Sequence, residues 1–244
     1  MAKATDGSVR APATGASKLE RLERPTTWAL SPSDFAFLWE ECPRCFYNKV
    51  VLKQPRPRTP FPKVFGAIDR AMKDFYLGER AELVAPGAPA GVIGSPDRWV
   101  KSAPLAIAGG ETAVVLRGRL DALVAGDDGA DGVVDFKTAL PSDAHVPLYG
   151  RQLHAYAWAL ETPASGRPSE VSALGLLCFS PDKFEADGAR GALLGDLAWI
   201  DVARDDAGFE AFLRDVVTVL EAGEPPEPAP GCPWCSRPCL ASAA

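Results

Sequence analysis

Two short runs in the middle of the chain put acids and a lysine where they could work on a phosphate. They are Leu116-Arg117-Gly118-Arg119-Leu120-Asp121 and Val133-Val134-Asp135-Phe136-Lys137. Side chains two apart on a strand share a face. Arg117, Arg119 and Asp121 would therefore stand on one side of the first run, opposite Leu116, Gly118 and Leu120. Asp135 and Lys137 share a side of the second, while Val134 and Phe136 turn away. If the strands are neighbours, two carboxylates and an ammonium meet on one surface. Oxygen ligands from Asp121 and Asp135 suit Mg²⁺ or Mn²⁺. An ion so held can activate water and neutralise charge on a phosphodiester undergoing hydrolysis. Lys137 would orient or help deprotonate that water, or stabilise the pentavalent state. Taken singly, each residue is no more than a charged strand residue facing solvent; the joint spacing carries the reading.

The elements that must position these residues can be read from period and punctuation. Thr112–Ala125 and Gly132–Thr138 read as strands joined by the turn Gly126-Asp127-Asp128-Gly129. Ser31-Pro32-Ser33-Asp34 reads as a helix start, with Ser as N-cap and Pro at the first helical position, opening a helix over Pro32–Glu41. A second helix is expected over about Val64–Leu77, with Phe65, Ile68, Met72 and Phe75 at helical spacing. Residues 80–112, rich in Gly, Ala and Pro, support only some helix or loop. Further along come a helix from about Pro147 to Glu161, strands over Glu170–Ser180 and Leu193–Val202, and a helix over Asp205–Ala222. This order implies an α/β layer fold with helices flanking a mixed central sheet. Gln152 and Tyr156 lie four apart on one face of the Pro147–Glu161 helix. His154 falls on another face and reads, with His145, as a surface histidine.

A chain of 244 residues with 47% hydrophobic residues holds one ordinary core. The expected organisation is a tail over 1–29, its first 24 residues reading as a disordered lead-in, and a single domain over 30–240. No apolar run reaches membrane-spanning length and Met1–Arg24 lacks a signal-peptide core, so the expected location is the cytoplasm with no membrane contact. Net charge is −6, a weak argument against a surface coated in nucleic acid. The charge is uneven: residues 1–60 hold ten Lys/Arg against six Asp/Glu. Arg44, Lys49, Lys53, Arg56 and Arg58 could meet a phosphate backbone or form a solvated basic loop.

Six cysteines stand at positions 42, 45, 178, 232, 235 and 239. Cys178 sits in the apolar run Leu174–Phe179 and reads as core. The other five form two clusters near the two ends, which in a reducing compartment suggests metal ligation more than disulfides. Paired C-x-x-C units at Cys42/Cys45 and Cys232/Cys235, with Cys239 nearby, could build a tetrahedral thiolate site. It would clamp the first helix to the C-terminal tail. Zn²⁺ held by Cys42, Cys45, Cys232 and Cys235 or Cys239 is one reading.

Gly118-x-x-Asp121, Asp135-Phe136-Lys137 and Gln152-x-x-x-Tyr156, preceded by a helix running into Cys42-Pro43-Arg44-Cys45-Phe46-Tyr47, resemble the RecB-like branch of the PD-(D/E)XK nuclease superfamily. The resemblance covers roughly residues 30–240. It implies a restriction-endonuclease-like αβββαβ core and metal-dependent cleavage of DNA, commonly exonucleolytic. It also implies substrate-contacting and site-supporting roles for Gln152 and Tyr156. Relatives usually carry a metal-binding His in the helix before the sheet; here that position is Asp69, a carboxylate that could join Asp121 and Asp135 as a ligand. Cys42, Cys232, Cys235 and Cys239 match the one-plus-three pattern of the iron–sulfur members, which include CRISPR-associated and AddB-type nucleases. That implies a [4Fe–4S] cluster in preference to zinc, although the last gap is shorter than in those relatives. The implied partner is DNA, single-stranded or with free ends, in repair, recombination or defence. A helicase or CRISPR-type partner protein would supply any unwinding, since the chain has no P-loop. The alternatives are a non-catalytic nucleic-acid-binding or scaffold subunit, which the intact acid–acid–lysine set opposes, and a restriction-like endonuclease.

Overall fold

The computed structural model describes residues 25–57, 60 and 62–235. The expected lead-in over Met1–Arg24, and with it Arg58 and Cys239, lies outside the described residues, as does the side chain of His145. The first element among the described residues is β1 (Thr27–Leu30), so the last residues of the expected tail enter a sheet. Next come α1 (Pro32–Asp34), which continues as a π-helical stretch over Phe35–Trp39, then α2 (Pro43–Val50) and α3 (Lys63–Tyr76). The segment left open by the sequence contains α4 (Ala81–Val84) and three short strands, β2 (Gly91–Gly94), β3 (Trp99–Lys101) and β4 (Leu105–Ala106). The rest is β5 (Ala113–Arg119), β6 (Ala122–Gly126), β7 (Asp131–Thr138), α5 (His145–Glu161), β8 (Val171–Asp187), β9 (Arg190–Asp201) and α6 (Asp206–Glu221). Mixed sheets with flanking helices make this the expected α/β architecture, consistent with a restriction-endonuclease-like core.

One expected strand is two. The run Thr112–Ala125 breaks at Leu120-Asp121, and its halves belong to different sheets. β5 lies between β1 and β3 and also pairs β4, whereas β6 belongs to a five-stranded sheet in the order β2-β6-β7-β8-β9. In that sheet β6 runs antiparallel to β7, with Ala122 opposite Val134, and β7 runs parallel to β8. Asp121 therefore sits at the point where the chain changes sheets. Its carbonyl accepts from Asp97 N at 3.0 Å and Leu120 N donates to Arg98 O at 3.0 Å, which ties the break to the segment before β3.

Alternation along β7 explains how one strand serves both a core and a site. Val133 packs with Leu174, Leu176 and the α5 residues Leu153 and Ala157 on one face. Val134 and Phe136 pack with Leu177 and the α3 residue Met72 on the other. Burying each such side chain contributes roughly 1.5–3 kcal/mol. Phe65, Ile68, Met72 and Phe75 stand at helical spacing on α3, but the face they form is largely open. Phe75 is 73% exposed, and the buried residues of α3 are Met72 and Lys73. Ser31 is the N-cap of α1 by position without a side-chain capping bond; its Oγ lies 3.0 Å from Ser33 Oγ instead.

Gly118 has a steric reason to be glycine. A Cβ there would lie 3.0 Å from Pro32 Cδ and 3.2 Å from the Tyr156 ring, where α1 and α5 close over β5. Gly118→Val should push Tyr156 away and cost roughly 1–3 kcal/mol of overpacking strain. Urea denaturation measures it; a variant as stable as the parent would show that this corner yields without cost.

Candidate active site and thiolate centre

The two acids and the lysine singled out by spacing come together at the sheet break. Asp135 is 3% exposed and faces α5, where Gln152 Nε2 donates to its Oδ1 at 3.0 Å. Its Oδ2 forms an ion pair with the Lys137 ammonium. Lys137 stands 4.3 Å from the centroid of the Tyr149 ring, so an aromatic face of α5 holds the ammonium from the other side. Asp121 Oδ2 accepts from Phe136 N at 3.0 Å, which locks it beside β7 between Asp135 and Lys137. Burial pushes the Asp135 carboxyl well above the ordinary carboxylate range; Lys137 opposes the shift and the neighbouring Asp121 charge adds to it. Burial works against the charge of Lys137, but Asp135 outweighs it and holds that ammonium above its usual value.

Gln152 and Tyr156 have different duties. Gln152 touches the carboxylate directly. Tyr156 donates its hydroxyl proton to Arg119 O at 2.8 Å and so fixes the backbone that leads into Asp121. His154, expected at the surface, is 6% exposed. Its Nδ1 lies 2.7 Å from Gly150 O, and its Nε2 accepts from Asp205 N at 2.8 Å. It stacks on Phe209 of α6, a helix-to-helix tie that periodicity along α5 could not reveal.

The sequence reading missed Lys73 and Asp97. Lys73 projects from α3 with 6% exposure and places its Nζ 2.8 Å from Asp121 Oδ1, 2.9 Å from Asp69 Oδ2 and 3.1 Å from Asp97 Oδ1. The three donors of one ammonium thus meet three carboxylates. Burial opposes its charge, but Asp121, Asp69 and Asp97 together raise its pKa above that of a free lysine. Asp69 therefore reaches the neighbourhood of Asp121 through Lys73. An amphipathic pattern marks Lys73 only as a polar helix residue, one turn after Asp69; its depth comes from the way α3 crosses the sheet.

An oxygen-rich centre of this kind fits a hard divalent cation. Asp121 and Asp135 supply carboxylate oxygens, and Gln152 Oε1 is a buried acceptor with no hydrogen-bond donor among the described residues. A second donor set is made of cysteines. Sγ atoms of Cys42, Cys45, Cys232 and Cys235 all lie within 4.8 Å of one another, joining the start of α2 to the segment after α6. Separations are 3.8 Å for Cys42–Cys235, 3.6 Å for Cys45–Cys232 and 3.4 Å for Cys45–Cys235. Burial raises the Cys45 thiol. At Cys232 burial acts in the same direction, but backbone N–H groups of Cys235 and Trp234 outweigh it and favour the thiolate. Cys178 is a buried core residue, as its sequence setting indicates.

The basic residues flagged near the N-terminal end are largely committed within the protein. Lys49 pairs with Asp34 at 2.6 Å, Arg56 with Glu41, Arg44 donates to Pro226 O at 3.4 Å and Lys53 to Val50 O at 2.6 Å.

Acids and a lysine gathered on a mixed sheet, under a helix carrying a glutamine, define the class to which the profile comparison assigns the chain. The protein belongs to the PD-(D/E)XK nuclease superfamily, whose profile matches residues 91–240. A search of curated proteins gives no match. Among solved structures, the crystal structure of SSO0001 is similar with a TM-score of 0.47 and 17% sequence identity, over 82% of this chain and 79% of that one. No helix among the described residues is long and apolar enough to cross a membrane.

Removing the shared ammonium should expose the cost of gathering these acids. Lys73→Met should lower stability in EDTA by about 3 kcal/mol, the low end for breaking a buried pair because two of its carboxylates reach solvent. Added Mn²⁺ should raise the melting temperature more in the variant than in the parent. Identical melting curves in EDTA would mean that Lys73 contributes no net stabilisation.

Proposed function

We propose that the protein is a Mg²⁺- or Mn²⁺-dependent deoxyribonuclease acting on single strands or free ends, in the manner of the RecB-like branch. The observation that carries this is the contact set of Asp121, Asp135, Lys137 and Gln152 at the sheet break. Asp121 and Asp135 would hold the ion, which supplies an activated water and charge neutralisation at the phosphate. Lys137 keeps its proton at Nζ beside Asp135, where it can orient the attacking water and offset charge on the phosphate oxygens. Gln152 holds Asp135 in one orientation, and Tyr156 keeps the Arg119 backbone, and with it Asp121, from drifting.

End-labelled DNA strands with Mg²⁺ or Mn²⁺ test the reading. Asp135→Ala and Lys137→Ala should each lower cleavage by roughly two orders of magnitude or more while the fold persists. Protein that binds DNA and cleaves nothing with either ion would instead be a nucleic-acid-binding or scaffold subunit.

The thiolate centre serves as a staple between the two ends of the domain, and its sulfur spacing supports one ion. Four thiolates around a single Zn²⁺, with bonds of about 2.3 Å, stand about 3.8 Å apart. Thiolates on the corners of a [4Fe–4S] cubane stand about 6 Å apart. Three separations of 3.4–3.8 Å, with all six no longer than 4.8 Å, favour zinc held by Cys42, Cys45, Cys232 and Cys235 over the iron–sulfur cluster implied by resemblance. Elemental analysis should find one zinc per chain in a colourless protein, lost in Cys45→Ser together with several degrees of thermal stability. A brown protein with equal iron and acid-labile sulfide would reverse the assignment.

A further inference from the structure

Beside the sheet break, β3 and β5 form a short antiparallel ribbon whose outer face is rich in cations. Trp99 lies opposite Arg119 and Lys101 opposite Arg117, so these four side chains share one face while Val100 and Gly118 turn into the core. The loop after α5 closes one side of this face, tied to it by Ala103 N to Thr162 O at 2.7 Å and Ala164 N to Lys101 O at 2.8 Å. Between ribbon and loop is a concavity of about 350 Å³ lined by Arg98, Trp99, Lys101, Arg117 and Arg167, among others, with no Asp or Glu in its wall. All five of these side chains are exposed, Trp99 by 70%.

Two features distinguish this face from an ordinary solvated one. In a chain of net charge −6 the acids outnumber the cations, and among the described residues most arginines elsewhere are paired. Arg98, Lys101, Arg117 and Arg167 nevertheless have no carboxylate partner among the described residues. Next, a large indole is left in water in the middle of them. Unpaired cations with an exposed aromatic ring match one chemistry, that of a single nucleic-acid strand, whose phosphates take the cations and whose unstacked bases take the ring. A duplex hides its base faces and could not use Trp99 in this way. The ribbon also leads to the acids: Asp97, next to Arg98, is on the Lys73 ammonium, and Arg119 lies 3.6 Å from Asp97 and two residues before Asp121.

The geometry points to the β3–β5 ribbon as a track for single-stranded nucleic acid, with Trp99 as the stacking platform and Lys101, Arg117, Arg167 and Arg98 as phosphate contacts, feeding the strand toward Asp121. The track deepens the nuclease reading by naming its substrate form and route, but its binding can be measured without cleavage.

The test is fluorescence anisotropy with a labelled oligothymidylate of about 20 nucleotides, in EDTA and across a salt series. Lys101→Ala/Arg117→Ala/Arg167→Ala should weaken binding at least tenfold and reduce the log–log salt slope by about two, near 0.7 for each phosphate that is no longer neutralised. Trp99→Ala should weaken binding by about tenfold with little change of slope, as expected when a base stack is removed. Both variants should keep the parent's melting temperature and its Mn²⁺-dependent hydrolysis of bis(p-nitrophenyl) phosphate, a diester too small to use the track. Variants that bind the oligonucleotide like the parent overturn the proposal. So does equal binding of the matching duplex, or competition by polyglutamate as strong as by unlabelled oligonucleotide. A parent that binds through these residues but hydrolyses no diester would retain the track and remove the nuclease reading.

Discussion

Carboxylates resist being gathered, and the centre of this protein gathers four of them. Asp69, Asp97, Asp121 and Asp135 converge where the chain passes from one sheet to the other, partly screened from water. Like charges at such distances disfavour ionisation and folding alike unless cations are supplied. The protein supplies two, one from each side of the sheet. Lys73 comes from α3 to hold Asp69, Asp97 and Asp121, and Lys137 comes along β7 to hold Asp135. The balance is incomplete at Asp135, whose carboxyl is driven upward by burial and by Asp121 despite its lysine. Further positive charge at that point would favour the ionised form of Asp135.

That convergence depends on the break between β5 and β6. A continuous strand from Thr112 to Ala125 would leave Asp121 as one more side chain on a flat ladder. Splitting it lets Asp121 accept from Phe136 N on one side while its carbonyl binds Asp97 N on the other. Gly118 makes the split possible by leaving room for Pro32 and Tyr156, and the Tyr156 hydroxyl then caps the Arg119 carbonyl at the end of β5. The glycine, the tyrosine and the first acid are thus parts of one mechanical joint. The same joint opens the outer face of β5 beside β3, so the ribbon of cations and the acid cluster share a strand.

The start of α2 and the segment after α6 are joined by separate chemistry. Four cysteines from the start of α2 and the segment after α6 lie within 4.8 Å of one another, closing a loop that contains the five-stranded sheet, β3 to β5 and the acid cluster. Constraint on so long a loop removes much of the unfolded chain's freedom. The profile match begins at residue 91, so Cys42 and Cys45, like Asp69 and Lys73, lie before the part that matches the superfamily.

Some of this was legible along the chain, for a definite reason. In Val133-Val134-Asp135-Phe136-Lys137 the two-residue period of a strand is a local property, so Asp135 and Lys137 had to share a face wherever β7 went. The same holds for Gln152 and Tyr156 on α5, and for the pairing of thiols within each C-x-x-C. Across elements the local rules fell silent or misled. Helical period aligned Phe65, Ile68, Met72 and Phe75 of α3, but only Met72 of these is buried, together with the charged Lys73. Period along α5 likewise put His154 at the surface, where α6 in fact covers it. Charge density near the N-terminus left open a phosphate contact or a solvated basic loop; Lys49 and Arg56 pair with Asp34 and Glu41, whereas Lys101, Arg117 and Arg167 in β3, β5 and the loop after α5 have no carboxylate partner among the described residues. The sequence by itself determined which groups share a face within one strand or helix, because that follows from backbone geometry alone. Which faces meet, and therefore which charges neutralise one another and which stay free for a substrate, was decided by the tertiary structure, because Coulomb energy depends on distances that no local period encodes.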